Sequence, residues 1–375
     1  MVNLGLLINP VAGMGGRVGL KGTDGLVQEA LMRGASPGSL ARTVRFLRAL
    51  PSSDVLFLTC SGDMGEAAFI EAGYRRCRVV YRYSGESTAA DTKEACRTFL
   101  REGVSLILFC GGDGTARDVL EGSGGRTPIL GIPAGVKMYS GVFALTPESA
   151  AALVSEWNGQ CREAEVLDVD EDAYRKGELR TRLYGFARVP AMQGMVQHSK
   201  DVFESSDEES AKADIAMFLA EVIMGTPKTL YLLGPGSTTL RIASAFGLEK
   251  SLLGFDAVMG GHLVGRDLDE RAILALLEKT DHARIIVSPL GMQGAVLGRG
   301  TQQISPGVIR KVGVENVIVI ATPQKLAGTP SLFVDTGDPA LDRAFGGTIR
   351  VITGYHVARR RALLSPAEWA GSSLR

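Results

Sequence analysis

Short apolar runs alternate with helical patterns through the first 150 residues of the chain. The apolar runs predict strands, and the stretches between them place apolar residues at helical spacing. The predicted strands are VNLGLLI, DVLFLTC, CRVVYRY, VSLILFC and PILGIPAG. Alternation of this kind predicts an open parallel sheet with helices on both faces, because parallel strands need crossover connections.

The pattern changes after residue 150. Residues 160–195 alternate apolar and polar positions, which is typical of half-buried antiparallel strands. We therefore expect an α/β protein whose first domain, residues 1–150, holds the parallel sheet. A second, mixed α/β domain with antiparallel strands is expected over residues 151–340, and residues 341–375 are expected to pack back on the first domain.

An acidic stretch at residues 199–215 runs into a pattern of apolar positions at helical spacing. We interpret it as the exposed face of an amphipathic helix. No function is assigned to it from the sequence.

The composition is that of an ordinary globular protein, with 45% hydrophobic and 22% charged residues. A length of 375 residues favours two cores over one. The formal net charge of zero gives no general attraction to nucleic acid or to a membrane surface, so neither is expected as a partner.

Three further absences bear on location. No apolar run approaches the roughly 20 residues that span a bilayer, and the first residues lack the charged region of a signal peptide. The five cysteines show no C-x-x-C pairing, which argues against a disulfide framework or a zinc site. We therefore expect a cytoplasmic protein.

Glycine-rich loops follow three of the predicted strands. They are INPVAGMGGRVG at residues 8–19, GGDGTARD at 111–118 and LGPGSTTLR at 233–241. Such loops let backbone N–H groups approach phosphate oxygens, and the N-terminus of a following helix favours negative charge. The second loop also places Asp113 at the end of a buried strand, where a carboxylate is costly unless something binds it. Together the loops favour a phosphate ligand over ordinary turns.

Other nucleotide-binding motifs are absent from the chain. A Walker A loop requires Gly-Lys-Ser/Thr, and the sequence contains no Gly-Lys dipeptide. The Rossmann pattern G-x-G-x-x-G would need glycine at position 18, where Val18 stands. The protein-kinase motifs and the G-x-S-x-G elbow are also missing. These observations argue against P-loop and protein-kinase chemistry.

The ordered set of motifs resembles a known family. GGDGT after a strand resembles the signature shared by NAD kinases, diacylglycerol kinases and phosphofructokinases. INPVAGMGG is similar to the opening Asn-Pro-glycine loop of that group, and GPGSTT looks like the Gly-Ser-Thr loop of NAD kinases. With GIPAGVKMYSGVFA, GRGTQQISPGVI and VDTGD, most of the chain resembles the AcoX-like ATP-NAD kinase family.

The resemblance implies transfer of a phosphoryl group to the 2′-hydroxyl of NAD. The donor would be ATP or polyphosphate, with Mg²⁺ or another divalent cation, and the enzyme would be a homo-oligomer as related kinases commonly are. Asp113 would be the catalytic residue beside the acceptor hydroxyl. The residues implied to bind nucleotide or phosphate are Asn9, Pro10, Gly13, Gly15, Gly16, Gly111, Gly112, Gly114, Thr115, Gly236, Ser237 and Thr238.

Four more residues are candidates from their local context. Lys137 lies in a loop of small residues at the end of a strand, and we interpret it as a phosphate-binding residue in preference to a solvent-exposed one. Arg299 would either neutralise the charge of a phosphate or belong to an ordinary turn. Asp118 would either contact a ligand or lie on the surface of its helix. Asp256 follows the third loop and would hold metal or ribose if it reaches the ligand. The four histidines show no metal-ligand spacing, so no metal ligands are assigned.

Two other functions stay open from the sequence. NAD kinases hold NAD with an Asn-Glu pair that has no match here, so the acceptor is open, and the first two loops also fit a diacylglycerol-type lipid kinase. The chain lacks the basic amphipathic helix that a membrane-binding kinase would use. A non-catalytic nucleotide- or polyphosphate-binding regulator is the third reading, although phosphate binding alone does not require Asp113.

Overall fold

A computed structural model describes residues 3–14, 18, 27–35, 38–51, 55–134, 138–169, 181–191, 206–289, 294–298, 300–329, 331–366 and 368. These residues form two compact units. The first unit holds residues 3–14 and 27–191, and the second holds Val18 and residues 206–368. Within these ranges, no helix combines the length and the apolar character needed to cross a membrane.

The first unit is built on parallel strands. They are β1 (Asn3–Ile8), β2 (Leu56–Cys60), β3 (Cys77–Tyr81), β4 (Leu106–Gly111) and β5 (Ile129–Pro133). Its helices are α1 (Val27–Met32), α2 (Ser39–Ala49), α3 (Glu66–Ala72), α4 (Ala89–Arg101), α5 (Asp113–Ser123) and α6 (Pro147–Glu156). The strands form a five-stranded sheet in the order β3-β2-β1-β4-β5, all parallel. The predicted α/β class is confirmed.

Burial explains why the strands of this sheet are continuous apolar runs. Every residue of β4 is buried, and β1 is buried from Leu4 onward. Helix α2 packs on α3 and α6, whereas α4 packs on α5, and both groups contact β1. A sheet covered in this way has no solvent-facing side, so its central strands carry no alternating polar positions.

The strand order of the first sheet reverses between β1 and β4. The chain places β2 and β3 on one side of β1 and then crosses to place β4 and β5 on the other. The register pairs Ile8 with Cys110, so the two neighbouring strands end at the same level. The loops that follow them diverge from a topological switch point, which is where open parallel sheets bind ligands.

A hairpin over the predicted antiparallel region belongs to the first unit. Its strands are β6 (Cys161–Val169) and β7 (Thr181–Pro190), and they pair antiparallel. We expected a second domain to begin after residue 150. Instead, Val166 and Val189 are fully buried in the core that the five-stranded sheet also supplies, so the hairpin completes the first unit.

The second unit is built on a mixed sheet. Its strands are β8 (Leu230–Leu233), β9 (Phe255–Met259), β10 (His262–Leu268), β11 (Ala283–Val287), β12 (Ala295–Leu297), β13 (Val317–Ile320), β14 (Ser331–Val334), β15 (Thr348–Gly354) and β16 (Val357–Leu364). Its helices are α7 (Ser206–Gly225), α8 (Ser237–Ser244), α9 (Glu270–Leu277), α10 (Pro306–Val312), α11 (Pro323–Ala327) and α12 (Pro339–Ala344). The strands form a nine-stranded sheet in the order β10-β9-β8-β11-β13-β15-β16-β14-β12.

The last two strands join the halves of this second sheet. β15 runs parallel to β13, and β16 runs antiparallel to β15 and parallel to β14. We expected residues 341–375 to pack on the first domain, but residues 348–364 lie inside the second sheet. There the backbone N–H and C=O groups of both strands find partners, which a segment laid over another domain would not provide.

Candidate functional site

The candidate site of the first unit begins where β1 and β4 end. Asn9 follows β1, and its backbone N–H donates to the carbonyl of Cys110 in β4 over 2.9 Å. The Asn9 side-chain amide donates to the Thr115 hydroxyl over 2.9 Å, and its oxygen accepts from the N–H of Val11 over 3.2 Å. Two of the loops predicted to bind phosphate are therefore joined at the switch point.

The loop after β5 reaches the same place. The Ala134 N–H donates to the Gly111 carbonyl over 3.0 Å. Gly13 has a φ of 78°, and a Cβ atom added there would lie 2.0 Å from the Ala134 carbonyl oxygen. Gly13 is therefore required both by its left-handed backbone and by the close approach of another chain segment.

Asp113 is the first residue of α5, and its side chain is only 5% exposed. The carboxylate accepts hydrogen bonds from the backbone N–H of Tyr139 over 2.6 Å and of Ser140 over 3.0 Å. The positive end of the α5 dipole also favours a negative charge at this position. Asp113 is thus held in one direction by the loop that follows β5, a contact that the sequence did not predict.

Ser140 fixes that loop to the hairpin of the first unit. Its hydroxyl donates to the Leu167 carbonyl over 2.9 Å and accepts from the Leu167 N–H over 3.0 Å. The next residue, Gly141, donates its N–H to the carbonyl of Glu165 over 2.8 Å. The sequence signal for this arrangement is the loop of small residues after β5, in which Lys137 is the candidate and neither Tyr139 nor Ser140 is indicated.

The three glycines of the GGDGT loop differ in how strictly the structure requires glycine at their positions. A Cβ atom at Gly111 would lie 2.5 Å from Thr115 Cβ, so a side chain there would displace Thr115. Gly112 precedes α5 in an extended conformation with φ −116°, which other residues adopt as well. Gly114 lies in the first turn of α5, beside the buried Thr115.

Asp118 lies on the side of α5 that faces α4. Its carboxylate is 3.8 Å from the Lys93 ammonium of α4 and 3.6 Å from the Arg117 guanidinium. Burial raises the pKa of the Asp118 carboxyl above its usual range, and these two cations offset part of that increase. The structure therefore places Asp118 in a charge cluster between two helices and not at the loop edge.

Four of the predicted site residues lie outside the part of the chain that the structure describes: Gly15, Gly16, Lys137 and Arg299. Pro10 is described, and it lies partly exposed in the turn that follows Asn9.

The third predicted loop is in the second unit, between β8 and α8. Gly236 has a φ of 119°, and its N–H donates to the Leu252 carbonyl over 2.8 Å. The Thr239 hydroxyl lies 2.6 Å from the Gly234 carbonyl and 2.9 Å from that of Gly236. Ser237 and Thr238 are the first two residues of α8; Ser237 is exposed, and Thr238 is buried.

Asp256 supports this loop from within the protein. It is fully buried on β9 and pairs with Leu233 of β8, next to the loop. Its carboxylate accepts hydrogen bonds from the N–H and hydroxyl of Ser251 and from the N–H of Asp267. The sequence leaves open whether Asp256 reaches a ligand and holds metal or ribose. The structure instead buries its carboxylate against the 251–256 segment, whose Leu252 carbonyl accepts a hydrogen bond from the Gly236 N–H.

No metal centre is built from side chains alone in the described ranges. Groups of three or more His, Cys, Asp or Glu residues that could hold a metal ion do not occur there.

Comparison with known proteins supplies the family. The ATP-NAD kinase N-terminal domain matches residues 4–158, and the ATP-NAD kinase C-terminal domain matches residues 228–360. No curated protein sequence matches the chain. The two domain matches follow each other in the expected order and together cover more than half of the chain, so this protein belongs to the ATP-NAD kinase family.

Proposed function

We propose that the protein phosphorylates the 2′-hydroxyl of NAD to give NADP, with ATP or polyphosphate as the donor. Membership of the ATP-NAD kinase family supports a phosphotransferase that acts on small molecules. The observation that carries the proposal is the placement of Asp113, at the start of a helix where the loops after β1, β4 and β5 meet.

Asp113 would orient the acceptor hydroxyl. An ordinary aspartate, with a pKa of about 3.9, is a weak base toward a sugar hydroxyl at neutral pH. Phosphoryl transfer passes through a loose transition state in most analyses, so the hydroxyl needs little activation before the phosphoryl group moves. The fixed carboxylate would aim the oxygen at phosphorus and accept its proton late in the reaction.

The loops around Asp113 would hold phosphate. Asn9 and Thr115 join the first two loops, and Gly13 and Gly111 allow backbone segments to approach without side chains between them. Backbone N–H groups at the start of α5 point toward an anion bound there. In the second unit, Gly236, Ser237 and Thr238 would hold the nucleotide in the same manner.

Mg²⁺ fits the oxygen donors of the GGDGT loop. Magnesium sites in such enzymes commonly use one or two carboxylates together with substrate phosphates. Asp113 and Thr115 are donors of this hard-oxygen kind. Mg²⁺, when bound with the donor, would neutralise charge on the transferring phosphate.

The assay uses purified protein, NAD, Mg²⁺ and either ATP or polyphosphate, with NADP as the measured product. Asp113→Asn should lower the rate about 10²- to 10⁴-fold, the usual contribution of a positioned acid or base. Glu121→Gln is the matched control, because Glu121 is an exposed residue on the same helix. Thermal unfolding of both variants checks that the loss is not due to unfolding.

Each result bears on a different reading of the chain. If the wild type forms no NADP with either donor, the NAD assignment is wrong, and a panel of other hydroxyl acceptors, including diacylglycerol, tests the lipid-kinase reading. ATP binding without turnover on any acceptor would support the non-catalytic regulator. The AcoX-like subfamily, a cytoplasmic location and a homo-oligomeric state stay predictions from the sequence.

A further inference from the structure

The hairpin of the first unit contains a β-bulge near the start of α5. Val166 of β6 pairs with Gly185 of β7, whereas the next residue, Leu167, pairs with Leu183. Tyr184 is therefore an extra residue of β7 that has no opposite residue in β6. A bulge bends its strand and redirects a side chain, and bulges are over-represented next to active sites. The bulge, and not the alternation of the strand, thus sets the direction of the Tyr184 side chain.

Two sets of contacts within the first unit place Tyr184 near Asp113. The Ser140 N–H donates to the Asp113 carboxylate over 3.0 Å, and the Ser140 hydroxyl exchanges two hydrogen bonds with Leu167, the residue of β6 at the bulge. On α5, Arg117 lies one turn after Asp113, and its guanidinium carbon is 5.4 Å from the centroid of the Tyr184 ring. The side chain of a helical residue covers the turn that precedes it, which for Arg117 is the turn of Asp113.

The Tyr184 ring is both held and accessible. A guanidinium within about 6 Å of a ring centroid, over the face of the ring, makes a cation–π contact, and this contact fixes the ring against α5. Tyr184 is nevertheless 44% exposed. Exposed aromatic rings and guanidinium planes are the groups on which proteins stack the unpaired bases of nucleic acids. Tyr184 and Arg117 therefore form a platform suited to a planar ring.

The proposed reaction brings a planar ring to this part of the first unit. In a nucleotide the base is attached to C1′ of the ribose, and the hydroxyl that Asp113 would orient is on the adjacent carbon, C2′. A group that stacks on the base must therefore lie beside the group that aims the hydroxyl. A diacylglycerol acceptor has no planar ring next to its hydroxyl, so the platform would offer it no comparable contact.

We infer that Tyr184, supported by Arg117, determines acceptor specificity by stacking on the base next to the acceptor hydroxyl. The identity of the base rests on the proposed function, and in NAD this base is adenine. Stacking needs only the face of a ring and no hydrogen bonds to its edge, so the contact selects a base over a lipid more strongly than one base over another.

Steady-state kinetics of the full chain test this role. Tyr184→Ala should raise the KM for NAD about 5- to 150-fold, the usual effect of losing one stacked base, and should leave the KM for the donor unchanged. Tyr184→Phe keeps the ring and should stay within about twofold of the wild type. Arg117→Met should raise the KM for NAD about two- to fivefold through loss of the cation–π contact.

Phe186→Ala is the matched control. Phe186 lies two residues further along β7, is 54% exposed and pairs with Glu165 in the regular register beyond the bulge. Loss of its ring should leave the KM for NAD unchanged. Thermal unfolding should show Tyr184→Ala and Phe186→Ala to be folded, which separates a lost ligand contact from a lost structural contact.

Tryptophan fluorescence tests the stacking without turnover. In Tyr184→Trp, NAD should quench the introduced indole because the adenine ring stacks on it, whereas ribose 5-phosphate, which has no base, should not. Phe186→Trp is the control and should respond to neither ligand. Trp157 and Trp369 are present in both variants, so their contribution to the signal is common to both.

The inference is wrong if Tyr184→Ala leaves the KM for NAD unchanged, if Phe186→Ala raises it equally, or if NAD does not quench Tyr184→Trp. The NADP assay of the wild type separates these results from the proposed function. If the wild type forms no NADP while NAD quenches Tyr184→Trp, the assigned reaction is wrong and the stacking site stands. If NADP forms and Tyr184→Ala keeps the wild-type KM, the kinase assignment stands and this site is wrong.

Discussion

At Gly13 the chain passes so close to the neighbouring loop that no side chain fits between them. A Cβ atom there would lie 2.0 Å from the Ala134 carbonyl oxygen, a distance that real Cβ atoms essentially never show. Ala134 also donates to Gly111, so a displaced Ala134 would disturb the loop that carries Asp113. Gly13 thus controls the spacing between the loop that follows β1 and the loop that follows β5.

Gly13→Ala is expected to destabilise the protein more than Gly34→Ala does. Both glycines have left-handed backbones, with φ of 78° and 83°, and alanine costs about 1–2 kcal/mol in that conformation. Only Gly13 has an atom in the way, since nothing lies within 4 Å of a Cβ at Gly34. The steric term should add about 1–3 kcal/mol, measured as the difference in unfolding free energy by urea titration. Equal losses would mean that Ala134 moves aside freely.

At the scale of elements, α4 supports the helix that begins with Asp113. Thr88 and Asp91 form a capping box at its start: the Thr88 hydroxyl accepts from the Asp91 N–H, and the Asp91 carboxylate accepts from the Thr88 N–H over 2.8 Å. The Tyr81 hydroxyl donates to the same carboxylate over 2.8 Å. The Thr88 hydroxyl also donates to the Asp91 carboxylate over 2.7 Å. This hydrogen bond above all, and then those from the Tyr81 hydroxyl and the Thr88 N–H, lower the pKa of Asp91.

Thr88→Ala should cost about 1 kcal/mol of stability near pH 7 through loss of the helix cap. Because the pKa of Asp91 is lowered in the folded state, its contribution is present above the unfolded value of about 3.9 and is lost as the pH falls through the folded value. The difference in unfolding free energy between the wild type and Thr88→Ala should therefore become smaller below about pH 4. Thr98→Ala, inside the same helix, is the control and should show no such pH dependence. A difference in unfolding free energy between the wild type and Thr88→Ala that does not change with pH would contradict this role of Asp91.

At the scale of the whole molecule, the cysteines report on one unit alone. All five lie before residue 162, in the first unit. Three are buried: Cys60, Cys96 and Cys110. Burial raises the pKa of Cys96 to about 12 and that of Cys110 to about 11, so both stay protonated and unreactive at neutral pH.

A thiol reagent at neutral pH should label only Cys77 and Cys161 in the native protein, because these two are partly exposed. All five thiols should react once the first unit unfolds. A Cys77→Ala, Cys161→Ala double variant should be silent until that transition, so its labelling reports the first unit separately from circular dichroism of the whole chain. Rapid labelling of all five thiols in the native wild type would contradict the burial of the central strands.

The sequence by itself determined the elements of the first unit and predicted the chemistry of the GGDGT loop. Apolar runs such as SLILF mark buried strands because burial requires apolar side chains at consecutive positions, and glycines next to Asp113 are a local signal of backbone close to an anion. Topology also followed in part, since alternating strands and helices permit few arrangements other than a parallel sheet. Asp113 was therefore recognisable at the carboxyl edge before any contact was known.

Only the tertiary structure decided which distant segments meet. The hydrogen bonds from Tyr139 and Ser140 to Asp113 span 26 and 27 residues, and the bond from Asn9 to Thr115 spans 106. The tertiary structure also shows that the hairpin of β6 and β7 belongs to the first unit, that residues 348–364 lie in the second sheet and that Asp256 is buried. Periodicity records whether a residue is buried, but not the partner that buries it. Those partners are chosen by long-range strand pairing and packing, where any apolar face or free N–H can compete.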